Sequence, residues 1–197
     1  MARRADHTRE ELTELAIVAG LEIIRKEGFK DFSARKLAKH IGYTVGTLYN
    51  VFGTYDDMML HINARTLDEW YGFMQAAMKK RGDPLDLLAK AYIEYGRKHY
   101  QQWTALFEYR LAEGRELPQW YAEKMGRFFN MVEEALSPLV GKDKRKAKRG
   151  AHVLWAGIHG ICVLSLSGKL ELMSADSAEA LALSLVDNYV AGLTHGK

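Results

Sequence analysis

Apolar positions recur along this chain at intervals of three and four, the period of amphipathic helices, and nowhere alternate long enough for a sheet. The first stripe, Leu12, Leu15, Ala16, Ala19 and Ile23, predicts a helix from about Thr8 to Lys26, ended by Gly28. Ser33 is a good N-cap for a short helix from Ala34 to His40, with Leu37, Ala38 and Ile41 apolar. Gly42 breaks it. A third helix starts at Thr44 or Val45, runs to Val51 and stops at Gly53. Thr54 then caps a long fourth helix, with Asp57 as a shorter form of the capping-box acid. Phe29 and Phe32, with Leu37, Ile41, Leu48 and Phe52, read as the core of this small region.

Two short helices joined by a glycine turn and backed by a longer one form a helix-turn-helix. Beyond it, helices are predicted over about 54–80, 84–113, 118–136, 143–168 and 175–194, with Pro84, Pro118 and Pro138 as punctuation between them. The expected fold is all-α, with about nine helices in total. Residues 1–53 make a three-helix helix-turn-helix domain and 54–197 a larger helical bundle.

Composition narrows the function without deciding it. The 48% of hydrophobic and 27% of charged residues are those of a globular chain. The 28 basic side chains against 25 acidic leave a net charge of +3, too small an excess to imply nucleic acid; the positions of the charges must carry that argument. The single Cys162 rules out an intrachain disulfide and a zinc–thiolate cluster and suits a reducing cytoplasm. The charged N-terminus has no signal-peptide core, and the most apolar stretch, Val153 to Leu166, contains His159 and is too short to span a bilayer; it reads as a buried helix, with no membrane partner. An enzyme reading finds no His-Glu-x-x-His, P-loop, dinucleotide fingerprint or nucleophile elbow. No cofactor or metal is expected.

In a helix-turn-helix the second helix enters the major groove with its N-terminal residues on base edges. Here those are Tyr43, Thr44, Val45, Gly46 and Thr47. Thr44 offers a hydroxyl, and its methyl or that of Val45 suits a thymine methyl. Gly46 permits close backbone approach, Tyr49 faces the phosphates one turn later, and Asn50 is the one amide on the helix. Ser33 and the free N–H groups behind it suit a phosphate. Arg35, Lys36 and Lys39 add positive charge outside, and Arg3, Arg4 and Arg9 form a short basic arm able to reach an adjacent groove. Lys36, Lys39 and Arg9 taken singly are equally well read as a solvated helix surface, but the whole cluster together with the motif is better read as contacting DNA.

The stretch from Gly28 to Phe52 resembles the DNA-binding domain of the tetracycline-repressor (TetR) family. Its most diagnostic piece is Gly-Thr-Leu-Tyr-x-x-Phe, Gly46 to Phe52, after the Leu-Ala-x-x-x-Gly turn of Leu37 to Gly42. The C-terminal part is similar to a subgroup with Trp-x-x-x-His-Gly in the penultimate helix, here Trp155 to Gly160. The resemblance implies a homodimer joined through the last two helices, a palindromic double-stranded operator and a repressor. It also implies a small-molecule effector pocket whose occupancy changes the separation of the two DNA-reading heads. Two positions depart from the family. Val51 stands where His is common, and Tyr55, followed by Asp56 and Asp57, stands where a basic residue contacts phosphate. Thr54 and the Tyr55 hydroxyl complete the candidate DNA contacts.

The dense aromatic residues of the C-terminal helices are ordinarily core, yet exceed what a tight bundle needs. Tyr95, His99, Trp103, Phe107, Tyr121, Met125, Phe128 and Trp155 are the candidate contacts to a largely apolar effector; Trp155 also suits a dimer interface. The run Lys142 to Arg149 reads as a solvated loop and first helical turn. His152, His159 and Cys162 could hold a metal or a redox site but, without carboxylate or thiolate partners, read as a packed helix with a hydrogen-bonded imidazole at the dimer seam. Ala156, Gly157 and Gly160 suit a close helix approach, within the chain or between chains. A helical scaffold that has lost DNA binding remains an alternative, favoured by Tyr55 and the modest charge.

Overall fold

The computed structural model describes residues 7–141, 143–173 and 176–195; Arg3, Arg4 and Lys142 lie outside the described residues. Among these there are ten α-helices and no strand: α1 Arg9–Glu27, α2 Ala34–His40, α3 Val45–Phe52, α4 Tyr55–Met78, α5 Pro84–Lys98, α6 Tyr100–Glu108, α7 Gln119–Val140, α8 Lys144–Leu166, α9 Leu170–Met173 and α10 Ala178–His195. A 3-10 turn, Phe29–Asp31, follows α1. No described helix is long and apolar enough to cross a membrane.

Local chemistry sets most of these boundaries. Thr8 and Glu11 form a reciprocal capping box at the start of α1, and Ser33, Thr44, Asp83 and Asp143 each accept a backbone N–H at the start of α2, α3, α5 and α8. The turn between α2 and α3 is a Schellman closure: Tyr43 N–H reaches Ala38 O at 2.9 Å and Gly42 N–H reaches Lys39 O at 3.4 Å. Gly42 takes φ of 76°, which a side chain with a Cβ disfavours.

Three expectations need correction. The span 84–113 is not one helix. It breaks at His99 (φ −120°, ψ 39°) into α5 and α6, and the chain leaves helical geometry after Glu108. The cause of the second break is tertiary: the Tyr109 hydroxyl, the Ala112 N–H and the Arg115 side chain all bind carboxylates on α4. Pro138 lies inside α7 instead of ending it. It costs one backbone hydrogen bond, but it stands in the last turn beside exposed Ser137 and Leu139. Helix α8 is not buried all round. Ala147, Ala151, Leu154, Ile158 and Cys162 face inward, while Val153, Val163 and Leu164 remain exposed.

The chain forms two compact units. One runs up to Asp68 and takes in Gln101–Tyr121; the other comprises Glu69–Tyr100 and the chain from Ala122 onward. In the first, α1 packs on α2 and α3 around Ile24, Phe32, Leu37, Leu48, Phe52 and Ile62, all buried, with Phe29 and Ile41 at the edge of the cluster. In the second, α5, α8 and α10 pack together. A Cβ on Gly157 would lie 2.4 Å from Leu185 Cδ2, so this glycine serves contact with α10 inside the chain, whereas Gly160 faces open space.

Candidate nucleic-acid interface

Helix α3 owes its position to its apolar side. Leu48 and Phe52 are buried, and Val45 and Val51 pack half-buried on the same cluster. This leaves Thr44, Gly46, Tyr49 and Asn50 exposed, with Tyr43 and Thr47 half-buried beside them. Thr44 Oγ1 accepts the Thr47 N–H at 3.1 Å and lies 2.9 Å from Thr47 Oγ1, so the two hydroxyls are linked at the start of the helix. Ser33 Oγ accepts the Lys36 N–H at 3.2 Å. Of the basic residues, Arg35 and Lys39 are exposed.

Two residues assigned to a basic surface have other work. Arg9 Nη2 donates to the Val51 carbonyl at 3.0 Å, so it caps the end of α3 where an arm for an adjacent groove was expected. Lys36 Nζ is paired with Glu27 at 2.6 Å. A third contact was missed: His7 Nδ1 lies 2.7 Å from the Tyr43 hydroxyl, with the rings edge to face. Nothing in the local sequence signals these partners, which are 36 and 42 residues apart for His7–Tyr43 and Arg9–Val51.

The start of α4 is held by a cluster the sequence reading also missed. Thr54 Oγ1 accepts the Asp57 N–H at 3.1 Å and donates to Asp57 Oδ2 at 2.7 Å. The Asp57 carboxylate therefore takes the hydroxyl and not the Thr54 N–H, which differs from the expected capping box. Arg115 Nη1 also donates to Thr54 Oγ1, so that oxygen's hydrogen-bonding capacity is filled within the chain. Arg115 pairs with Asp57, and its Nη1 lies 3.5 Å from Asp56. Asp56, itself buried, accepts the Tyr109 hydroxyl and, at 3.4 Å, the Ala112 N–H. The hydrogen bond from Arg115 holds the Asp57 carboxyl below its usual range. Tyr55 is half-buried between the rings of Phe32 and Tyr109, each 6.4 Å away. Burial raises its hydroxyl above the ordinary value, which keeps it a neutral donor.

The aromatic candidates fall into both units. In the first, Trp103 and Phe107 lie 4.6 Å apart, and buried Tyr121 meets Trp120 edge-on at 5.5 Å. In the second, Trp70 is the hub. Tyr95 stacks on it at 5.5 Å, Phe128 lies 4.6 Å away and Tyr92 5.0 Å. His99 sits 4.5 Å from Tyr95, while Met125 is exposed. Trp155 stacks on His159 at 5.5 Å, and His159 Nδ1 lies 2.8 Å from the Tyr92 hydroxyl, which joins Trp155 to the same series.

Two family models match the chain. One, for bacterial regulatory proteins of the tetR family, covers residues 16–62. The other, for the tetracyclin repressor-like C-terminal domain, covers residues 85–189. The chain belongs to the TetR family of transcriptional regulators. This TetR-family protein is 25% identical, over 202 aligned positions, to an uncharacterized HTH-type transcriptional regulator of Mycobacterium tuberculosis, spanning all of this chain and 88% of the relative. Its fold is similar to that of a protein of unknown function from Rhodococcus sp. RHA1, with a TM-score of 0.72, 19% identity and coverage of 98% and 100% of the two chains. It is also similar to the transcriptional regulator FadR from Bacillus subtilis, solved in complex with stearoyl-CoA, with a TM-score of 0.61, 17% identity and coverage of 93% and 98%.

The second unit of this TetR-family regulator also contains a cavity of about 810 Å³ among α4, α5, α8 and the start of α10. Its lining mixes apolar Ala77, Leu87 and Cys162 with charged Lys80, Lys90, Glu94, Arg97 and Glu179. None of the eight aromatic, His or Met candidates lines it. Cys162 is buried, and burial pushes its thiol up to about 12. Ellman's reagent at pH 8 is therefore expected to leave the native protein unmodified and to titrate this thiol in urea. Rapid reaction without denaturant would show that α8 opens locally.

Proposed function

We propose that this regulator is a ligand-responsive repressor that binds a palindromic operator as a homodimer and is released by a small, largely apolar effector. The observation that carries the DNA-binding reading is α3, a short helix anchored by Leu48 and Phe52 with Thr44, Gly46, Tyr49 and Asn50 exposed. Tyr43, Thr44, Val45, Gly46 and Thr47 address base edges, with Asn50 beyond them. Ser33, Arg35, Tyr49 and Tyr55 face the phosphate backbone, and Thr54 does so through its backbone N–H, its hydroxyl being taken up by Asp57 and Arg115. Residues 1–53 supply this function, and 54–197 supply effector binding and dimerisation.

The exposed Val153, Val163 and Leu164 on α8 support a dimer through α8 and α10, where a second copy would cover them. The stearoyl-CoA bound by the B. subtilis protein supports an effector with a large apolar part. The aromatic series around Trp70 supplies contacts of that kind within the second unit, from Tyr95, His99, Phe128 and Trp155, and Met125 is expected at its margin. Trp103, Phe107 and Tyr121 are the corresponding candidates in the first. The site of action is the cytoplasm. The two heads of the dimer must present their α3 helices one helical turn apart, ~34 Å. An effector that prefers a state with another spacing then weakens DNA binding by its own differential affinity.

Titration against the DNA flanking the protein's own gene, with random DNA as competitor, tests this. Binding should resist the competitor and fall by about a thousandfold or more between 50 and 200 mM salt, as phosphate neutralisation releases counterions. No measurable affinity for either DNA at the lower salt would favour the scaffold reading.

A further inference from the structure

The start of α4 poses an electrostatic problem for a DNA-binding protein. Thr54 and Tyr55 are the candidates for phosphate contact there, yet the next two residues are Asp56 and Asp57. Two carboxylates suit the positive end of a helix dipole, but they repel a phosphate backbone brought against the same turn. The chain has no basic residue at positions 53–60 to offset them.

The offset comes from elsewhere in the same compact unit. Arg115, 58 residues along the chain from Asp57, reaches the first turn of α4 from the irregular segment after α6. Its guanidinium donates to Asp57, lies 3.5 Å from Asp56 and donates to the Thr54 hydroxyl. One positive charge is thus held between two negative ones. Asp56 is further occupied by the Tyr109 hydroxyl and the Ala112 N–H, so Asp57 is the carboxylate whose field depends most on Arg115. Arg115 remains partly exposed, with 29% of its side-chain surface accessible, so its charge still acts on the adjoining solvent and on any anion brought there.

We propose that Arg115 is a positioning residue for DNA binding. From a distant loop it supplies the positive charge that the first turn of α4 lacks, and it holds the Asp57 carboxylate against Thr54 and away from the phosphates. The inference rests on the DNA-binding reading above. It differs from a merely structural role, in which Arg115 only fastens the loop 109–118 through Asp57, because a lost fastening is not restored by also removing the Asp57 charge, whereas a lost charge balance is.

The experiment measures operator affinity of the full chain at 50 and 300 mM salt for the wild type, Arg115→Gln, Asp57→Asn and the double variant. Helical content and thermal midpoint of each are checked alongside. Arg115→Gln should weaken binding about tenfold at the lower salt, and the deficit should shrink at the higher salt, where the Debye length is shorter. Asp57→Asn alone should bind as well as the wild type or better, since it frees the guanidinium for phosphate. The double variant should recover to within about twofold of the wild type, because the uncompensated charge is gone. A double variant as weak as Arg115→Gln, or an Arg115→Gln protein with wild-type affinity, would overturn the inference. Should Arg115→Gln fail to fold, Asp57→Asn decides alone, and weaker binding by it would overturn the inference. A wild type with no preference for operator DNA would overturn the DNA-binding reading and this inference together.

Discussion

Leu48→Ala is expected to destabilise the DNA-binding unit by about 2–5 kcal/mol, the range for removing a large aliphatic side chain from a closed core. Leu48 has no exposed surface and lies in the cluster with Leu37, Phe52 and Ile62. Helix α3 has eight residues, too few to be stable alone, so its helicity is borrowed from the packing of its apolar side. Removing that anchor also loosens Thr44, Tyr49 and Asn50 on the opposite side, and operator affinity should fall together with stability. Urea denaturation of the variant beside Leu48→Met, which conserves volume and should cost under about 1.5 kcal/mol, measures this. A loss below 1 kcal/mol for the alanine variant would mean that α3 is held by something other than this core.

Tyr49→Phe should do the reverse, leaving the fold intact and damaging recognition. The side chain is 39% exposed and stands on the outer side of α3. A hydrogen bond to a charged phosphate contributes about 1.5–3 kcal/mol, and a homodimer on a palindrome makes each contact twice. The expected loss of operator affinity is therefore roughly 10²- to 10⁴-fold, with the melting temperature unchanged. Gel-shift titration against the operator, paired with thermal unfolding, separates the two effects. Wild-type affinity in the variant would remove Tyr49 from the phosphate contacts.

Much of the fold was legible because its signals are local. The cap at Ser33, the closing glycines Gly28, Gly42 and Gly53, and the apolar spacing of α1 act within one or two helical turns. These features placed α1 to α3 within a residue or so. The same rules failed over 84–113, where Pro118 was the loop signal read from the sequence. The residues from Tyr109 to Ala112 look helical in isolation and leave the helix because carboxylates on α4 offer them better partners.

The candidate site divides along the same line. Which side of α3 is apolar, and hence that Thr44, Tyr49 and Asn50 lie opposite Leu48 and Phe52, follows from helical periodicity alone. The assignments of Arg9 to the end of α3, of His7 to Tyr43 and of Arg115 to Asp57 do not. They join residues 36 to 58 positions apart, and a charged side chain on a surface reads the same in sequence whether its partner is water or a distant carboxylate.

Order along the chain was thus enough to specify the helix-turn-helix, the all-α architecture and the family, since each depends on hydrogen bonds and apolar contacts within a few residues. Tertiary packing decided which charges are spoken for, where the fifth and sixth helices separate and which side of α8 stays exposed. Those outcomes are differences between competing partners, and the competitors meet only when the chain is folded.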